Sequence, residues 1–130
     1  MPTRRNVITL AAIGIAMPAS FASAAAVTEF TMEAFKAAQK AGKPILVDVW
    51  ASWCPTCKAQ SPILKSLLAD PKNKDVVMLR VNFDTQLDVL KAFNVQSQST
   101  LIVFKGAKET GRSVGDTGAE SIASLLATAV

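Results

Sequence analysis

The sequence predicts an α/β domain with a mixed central β-sheet covered by helices on both faces. Three observations lead there. Apolar runs rich in β-branched residues alternate with segments of helical spacing, the pattern of parallel strands joined by crossover helices. Residues 100–104 form a strand-like run followed by a short turn and a second such run, a hairpin that adds an antiparallel pair. The chain has 130 residues, half of them apolar, which suits one domain with one real core.

Residues 1–24 read as an export signal. Arg4 and Arg5 form a charged start, residues 7–17 an apolar stretch, and Pro18 breaks it ahead of Ala19, Ser20, Ala22, Ser23 and Ala24. Ala22-Ser23-Ala24 fits a small-residue cleavage site, and Ala24-Ala25-Ala26 is a second candidate. Cleavage leaves a domain over residues 25–130 and places it in the periplasm. An uncleaved anchor is the alternative, since residues 7–26 carry no charge. The arginine pair suits the general secretory route and the twin-arginine route alike.

Residues 27–30 suit a short edge strand. Thr31 is a helix N-cap with Glu33 in the first turn, where the helix dipole favours an acid. That helix runs to Ala41, carries Phe35, Ala38 and Ala41 at helical spacing, and stops at Gly42. Pro44 opens the next unit. Ile45-Leu46-Val47-Asp48-Val49-Trp50 is a nearly continuous apolar run, as in a strand buried on both faces, with Asp48 as its one interruption. A helix begins near Cys54 and ends near Ala69 before Asp70-Pro71, with Pro62 expected to kink it. Residues 76–82 form a strand. Leu87, Leu90, Ala92 and Phe93 mark a short helix. The hairpin turns at Lys105-Gly106-Ala107-Lys108 and returns over residues 109–114. Gly118 leads into a last helix with Ile122, Leu125 and Leu126 on one face.

The formal charge of +4 includes Arg4 and Arg5, and no acid precedes Glu29. About +2 is left for the body of the protein, too little for a nucleic-acid partner. Histidine is absent, which removes every Ser-His and Cys-His mechanism and the commonest metal ligand.

Only two cysteines occur, in Trp53-Cys54-Pro55-Thr56-Cys57-Lys58. In the first turn of a helix, residues three apart share a face, so the two sulfurs can meet. The unpaired N–H groups of that turn stabilise a thiolate on Cys54, and Pro55 costs no hydrogen bond there. Cys57 is expected deeper and less exposed. Cys54 is then the nucleophile toward a disulfide and Cys57 the resolving thiol. A structural bridge over so short a loop gains little chain entropy. Two thiolates make half a zinc site, with no third cysteine or any histidine to complete it. Copper(I) accepts two thiolates, so a copper carrier stays open as a rival.

The stretch from Lys43 through Trp50, Trp53, Cys54, Pro55, Thr56 and Cys57 to Lys58 resembles the active-site strand and helix of thioredoxins, and Pro62 falls at that family's helix-kinking proline. The resemblance spans residues 28–129. Gly42-Lys43-Pro44, Val81-Asn82-Phe83-Asp84 and Gly115-Asp116-Thr117 look similar to the periplasmic C-terminal domain of DsbD-type transmembrane reductases. The resemblance implies a thioredoxin fold and a monomeric thiol–disulfide oxidoreductase that needs no cofactor. Its partners would be oxidised proteins and a membrane electron donor resembling DsbD or CcdA. The short domain lacks the inserted helices of DsbA-like oxidases, which favours a reducing role over an oxidase or isomerase. Asp48 matches the family's buried aspartate, the proton acceptor for Cys57; pairing with Arg80 is its structural alternative. Trp53, Pro55, Thr56, Gln98, Ser99 and Thr100 fall on the substrate-binding surface, whereas Trp50 is packing. Lys58 is a solvated flank.

The departure is Ser99, which stands where thioredoxins place a cis-proline facing the cysteines. A cis bond before a residue other than proline costs about 2.5–4 kcal/mol. The loop is therefore either trans and rearranged, or strained beside the cysteines. In both cases Ser99 brings an N–H and a hydroxyl that proline lacks, and a hydroxyl reaching Cys54 would stabilise its thiolate.

Overall fold

The computed structural model describes residues 27–130, together with Gly14. The proposed signal, with Arg4, Arg5 and both cleavage sites, lies outside the described residues apart from Gly14. Nine elements follow in the order β1 (Thr28–Glu29), α1 (Met32–Lys40), β2 (Pro44–Trp50), α2 (Pro55–Ala69), β3 (Val77–Asn82), α3 (Leu87–Ala92), β4 (Thr100–Lys105), β5 (Lys108–Val114) and α4 (Ala119–Ala127). The β-α-β-α-β-α-β-β-α order expected from the sequence is the one observed.

The five strands form one mixed sheet in the order β1-β3-β2-β4-β5. β2 pairs parallel with β3 and antiparallel with β4, so it is fully flanked. That position explains its composition: residues 45–49 are all buried, and alternate side chains feed opposite faces. Ile45, Val47 and Val49 join Phe30, Phe35, Leu90 and Phe104 in one core. Leu46 joins Leu64, Leu101, Val103, Ile122 and Leu126 in the other. Helices α1 and α3 thus cover one face, and α2 and α4 the other.

Local signals hold where the sequence places them. The Thr31 hydroxyl accepts the Ala34 N–H at 3.1 Å and caps α1. Gly42 takes φ 69° just past its end, where a side chain would be strained. Pro62 sits within a helix that continues to Ala69, and it supplies no N–H for the carbonyl one turn back. Two details depart from the expectation. Asp70-Pro71 does not simply stop α2; Pro71–Asn73 forms a 3-10 turn capped by the Asp70 carboxylate, which accepts the Lys72 N–H at 3.1 Å. The hairpin carries a bulge, since Val103 faces Gly111 but Phe104 faces Glu109. Among the described residues no helix is long and apolar enough to cross a membrane.

β2 and β3 run parallel and end together at Trp50 and Asn82. The loop after β2 and the start of α2 lie beyond that edge, where ligand sites of α/β sheets collect. The loop before β4 returns to the same place, because the Ser99 N–H donates to the Val49 carbonyl at 2.8 Å.

Candidate functional site

Cys54 is the N-cap of α2. Its backbone is extended (φ −85°, ψ 111°), and its sulfur accepts the Cys57 N–H at 3.1 Å. α2 has no acid in its first turn, so this sulfur takes the place of the usual capping oxygen. Pro55 follows at the first helical position, where no N–H is needed. Cys57 lies one turn in, against Ala51, Trp50 and Phe83. Both cysteines are free thiols.

The expected contrast in exposure is corrected: Cys54 and Cys57 are each 1% exposed. The Ser99 loop and the packing around Ala51 cover both. The contrast between them is electrostatic. Burial pushes the Cys54 thiol up, but hydrogen bonds from the Cys57 thiol, the Ser99 hydroxyl and the N–H groups of Cys57 and Thr56 outweigh it, and Cys54 sits below the usual thiol range. Burial pushes the Cys57 thiol up, and so does its hydrogen bond to Cys54; the Ser99 hydroxyl and the Ala51 backbone offset this only in part. Of the two sulfurs, Cys54 is therefore the easier to ionise.

Ser99 resolves the question that the missing proline raised. No peptide bond among the described residues is cis, and Ser99 takes φ 63°. This left-handed conformation is uncommon for a residue with a side chain. Three contacts hold it there. Its N–H donates to Val49, and its carbonyl accepts from the Gly115 N–H at 3.0 Å and from Gln60 Nε2 at 3.3 Å. The hydroxyl then lies 3.0 Å from the Cys54 sulfur and 3.1 Å from the Cys57 sulfur.

Asp48 is 1% exposed in the middle of β2, register-paired with Arg80 on β3. Arg80 Nε donates to its Oδ2 at 3.1 Å, and a second guanidinium nitrogen lies 3.0 Å from the same oxygen. The guanidinium also sits 4.9 Å from the centre of the Trp50 ring. Burial raises the Asp48 pKa above its ordinary value, and the charge and hydrogen bond of Arg80 only partly counter it. The ion pair read from the sequence is thus present, and burial makes the Asp48 carboxylate a stronger base than an exposed one.

The remaining residues of the predicted surface divide. Trp53 is 54% exposed, with its ring N–H on the Asp84 carboxylate at 2.9 Å and its ring edge-on to Phe83. Pro55 is exposed, and Thr56 and Gln98 are half-buried. Thr100 is buried, and its hydroxyl donates to the Ser97 carbonyl at 2.7 Å, closing the loop instead of facing solvent. Val114, exposed, lies beside Thr100 on the hairpin edge. Among the described residues no three His, Cys, Asp or Glu side chains gather as a metal cluster.

Two contributors escaped the reading of the sequence. Gln60 is fully buried on α2 and ties Ser99 to Asp116, whose carbonyl accepts its amide at 2.8 Å. Its signal was a glutamine on the buried face of α2, in step with Cys57 and Leu64. Asp84, noted in the sequence only as the end of Val81-Asn82-Phe83-Asp84, orients Trp53 from 31 residues away.

Residues 26–128 match the thioredoxin family. The chain is 32% identical over 93 residues to the thioredoxin of Alicyclobacillus acidocaldarius subsp. acidocaldarius, covering 72% of this chain and 88% of that protein. It is 36% identical over 76 residues to the bifunctional thioredoxin reductase/thioredoxin of Mycobacterium leprae (strain TN), covering 58% of this chain but only 16% of that much longer protein. Among solved structures, Trxlp from Edwardsiella tarda EIB202 superposes with a TM-score of 0.75 and 42% identity, over 78% of this chain and 98% of that one. The thiol pair at the head of α2, the sheet order and these matches agree, and the chain belongs to the thioredoxin family, as a thiol–disulfide oxidoreductase of that type.

Proposed function

We propose that this thioredoxin-type protein reduces disulfides of partner proteins in the cell envelope, after export to the periplasm by its N-terminal segment. Cys54 is the attacking thiolate, Cys57 the resolving thiol and Asp48 the acceptor of the Cys57 proton. A membrane electron conduit resembling DsbD or CcdA re-reduces the pair. The likeness of Gly42-Lys43-Pro44, Val81-Asn82-Phe83-Asp84 and Gly115-Asp116-Thr117 to DsbD-type domains supports that donor. The observation that carries the reading is the asymmetric placing of the thiols: the Cys54 sulfur caps α2 and accepts the Cys57 N–H at 3.1 Å, with Cys57 one turn behind it, and this makes Cys54 the easier of the two to ionise. Nucleophilic attack followed by resolution needs that order. Trp53, held by Asp84, offers an exposed apolar platform beside Cys54 for a protein partner.

The test is turnover of a protein disulfide. With dithiothreitol as electron source, the protein accelerates reduction of the interchain bonds of insulin, and Cys54→Ser abolishes the effect. Cys57→Ser accumulates a mixed disulfide through Cys54, because resolution is gone. Faster alkylation of Cys57 than of Cys54 would reverse the assignment. One observation favours the opposite direction of flow: the Ser99 hydroxyl stabilises the Cys54 thiolate, hence the reduced form, and makes the couple more oxidising. A strongly negative reduction potential supports the reductase, and a potential near the oxidising end supports a dithiol oxidase.

A further inference from the structure

We propose that Ser99 is a catalytic residue, its single hydroxyl serving the two sulfurs in turn as a hydrogen-bond switch between attack and resolution. The inference deepens the exchange reading above and rests on it. Ser99 Oγ is nearly equidistant from both sulfurs, at 3.0 Å from Cys54 and 3.1 Å from Cys57. The residue is 3% exposed, so water does not compete freely for it. Its backbone is fixed by Val49, Gly115 and Gln60, so the oxygen stays between the sulfurs while the O–H rotates.

A hydroxyl has one proton and two lone pairs. It donates to one sulfur at a time. In the reduced protein Cys54, whose sulfur already accepts the Cys57 N–H at 3.1 Å, is the better acceptor once ionised, and the Cys57 thiol donates toward the Val49 carbonyl at 3.9 Å or toward Cys54. Cys54 attacks the partner disulfide: a bond forms from its sulfur to one partner sulfur, the partner's S–S bond breaks, and the other partner sulfur leaves as a thiolate and takes a proton from water. Cys54 is now a neutral disulfide sulfur and a poor acceptor. The hydroxyl turns to Cys57. There it stabilises the thiolate formed when Cys57 gives its proton to Asp48, the acceptor in the reading above. Cys57 then attacks the Cys54 sulfur, the mixed disulfide breaks, and the second partner sulfur leaves and is protonated from water. Two electrons have passed from the dithiol to the partner, and the Ser99 hydroxyl is unchanged.

Ser99→Ala and Ser99→Gly test this together. Both remove the hydroxyl; alanine keeps a side chain at the left-handed φ, and glycine relieves it. Oxidised glutathione is the disulfide, since it exchanges with any competent dithiol and keeps this test apart from protein-disulfide reduction. The pH profile of Cys54 alkylation by iodoacetamide is expected to move to higher pH in both variants. In single-turnover mixing, resolution, read as release of the second glutathione thiol, is expected to slow about tenfold in both, the loss expected for one hydrogen bond to a charged sulfur. An unmoved alkylation profile overturns the proposal. A moved profile with unchanged resolution also overturns it, leaving a static cap on Cys54. Effects in only one variant would assign the result to the backbone and overturn it as well. Wild-type protein that exchanges with glutathione but fails to reduce insulin would count against the partner-protein reading and leave these outcomes readable.

Discussion

A serine held at φ 63° by a carbonyl, a peptide N–H and a buried glutamine is not a proline site that lost its proline. Proline fixes φ near −65° and has no N–H, so it fits neither the angle nor the 2.8 Å bond to Val49. Restoring the family's residue as Ser99→Pro is therefore expected to destabilise the protein, by more than about 1 kcal/mol. Denaturant unfolding checks this; a midpoint equal to the wild type would mean that the loop rearranges freely. Asp48 makes a second prediction at this scale. Its carboxyl titrates above the ordinary value in the folded chain because burial outweighs Arg80. Between the unfolded value, about 3.9, and the raised folded one, the native state holds a proton that the unfolded state has released. Stability from this group is thus present at low pH and is lost as pH rises through the folded pKa. Asp48→Asn is expected to flatten that fall, so the difference in Tm between the two proteins grows as pH rises above about 4 and levels off once the folded carboxyl has titrated. A constant difference would mean that Arg80 holds Asp48 ionised throughout, as a purely structural ion pair.

α2 depends on an unusual cap. Nothing acidic lies in its first turn, and the Cys54 sulfur accepts the N–H that a Ser or Asp oxygen normally takes. Serine at that position keeps an acceptor, whereas alanine removes it. Cys54→Ala is therefore expected to be less stable than Cys54→Ser by about 1 kcal/mol. Equal unfolding midpoints would show that tertiary packing alone holds the helix start. The elements themselves were legible because each carries a local signature: Thr31 as cap, Gly42 as stop, the unbroken apolar run of β2, and the small loop residues around the hairpin. From spacing alone the site was legible only where it is local; Ser99 and Asp48 were placed at it by the resemblance to thioredoxins. Cys54 and Cys57 are three residues apart, so helix geometry alone brings them together. Ser99 reaches them from 45 and 42 residues away, and Gln60 reaches Ser99 from 39. No periodicity encodes such contacts. The left-handed angle of Ser99 was hidden for the same reason, since its cause is three hydrogen bonds from distant segments. The 3-10 turn at Pro71–Asn73 was masked because Asp-Pro reads equally well as a plain helix stop.

The two cores explain why the whole chain holds its site at one edge. β2 supplies side chains to both of them, and its last residues carry the cysteine loop, so a rigid strand positions Cys54 and Cys57. The opposite flank of the sheet is thin. β1 is only Thr28–Glu29, paired with Leu79 and Arg80, and the Phe30 N–H continues the ladder to the Arg80 carbonyl at 2.8 Å. Phe30 is buried in the aromatic core with Phe35 and Phe93. The folded unit therefore needs the chain from Thr28 onward, and Val27 just before it is 54% exposed. The family match begins beside it, at residue 26. This limits where the proposed signal can be removed. Cleavage after Ala24 or Ala26 spares β1, whereas cleavage past Thr28 would strip an edge strand and expose β3. The mature protein is thus expected to begin at Ala25 or Val27. Intact-mass measurement on protein from the envelope fraction decides between them. A mass that still contains Arg4 and Arg5 would mean that the N-terminal segment remains as an anchor, and the soluble periplasmic reading would fall.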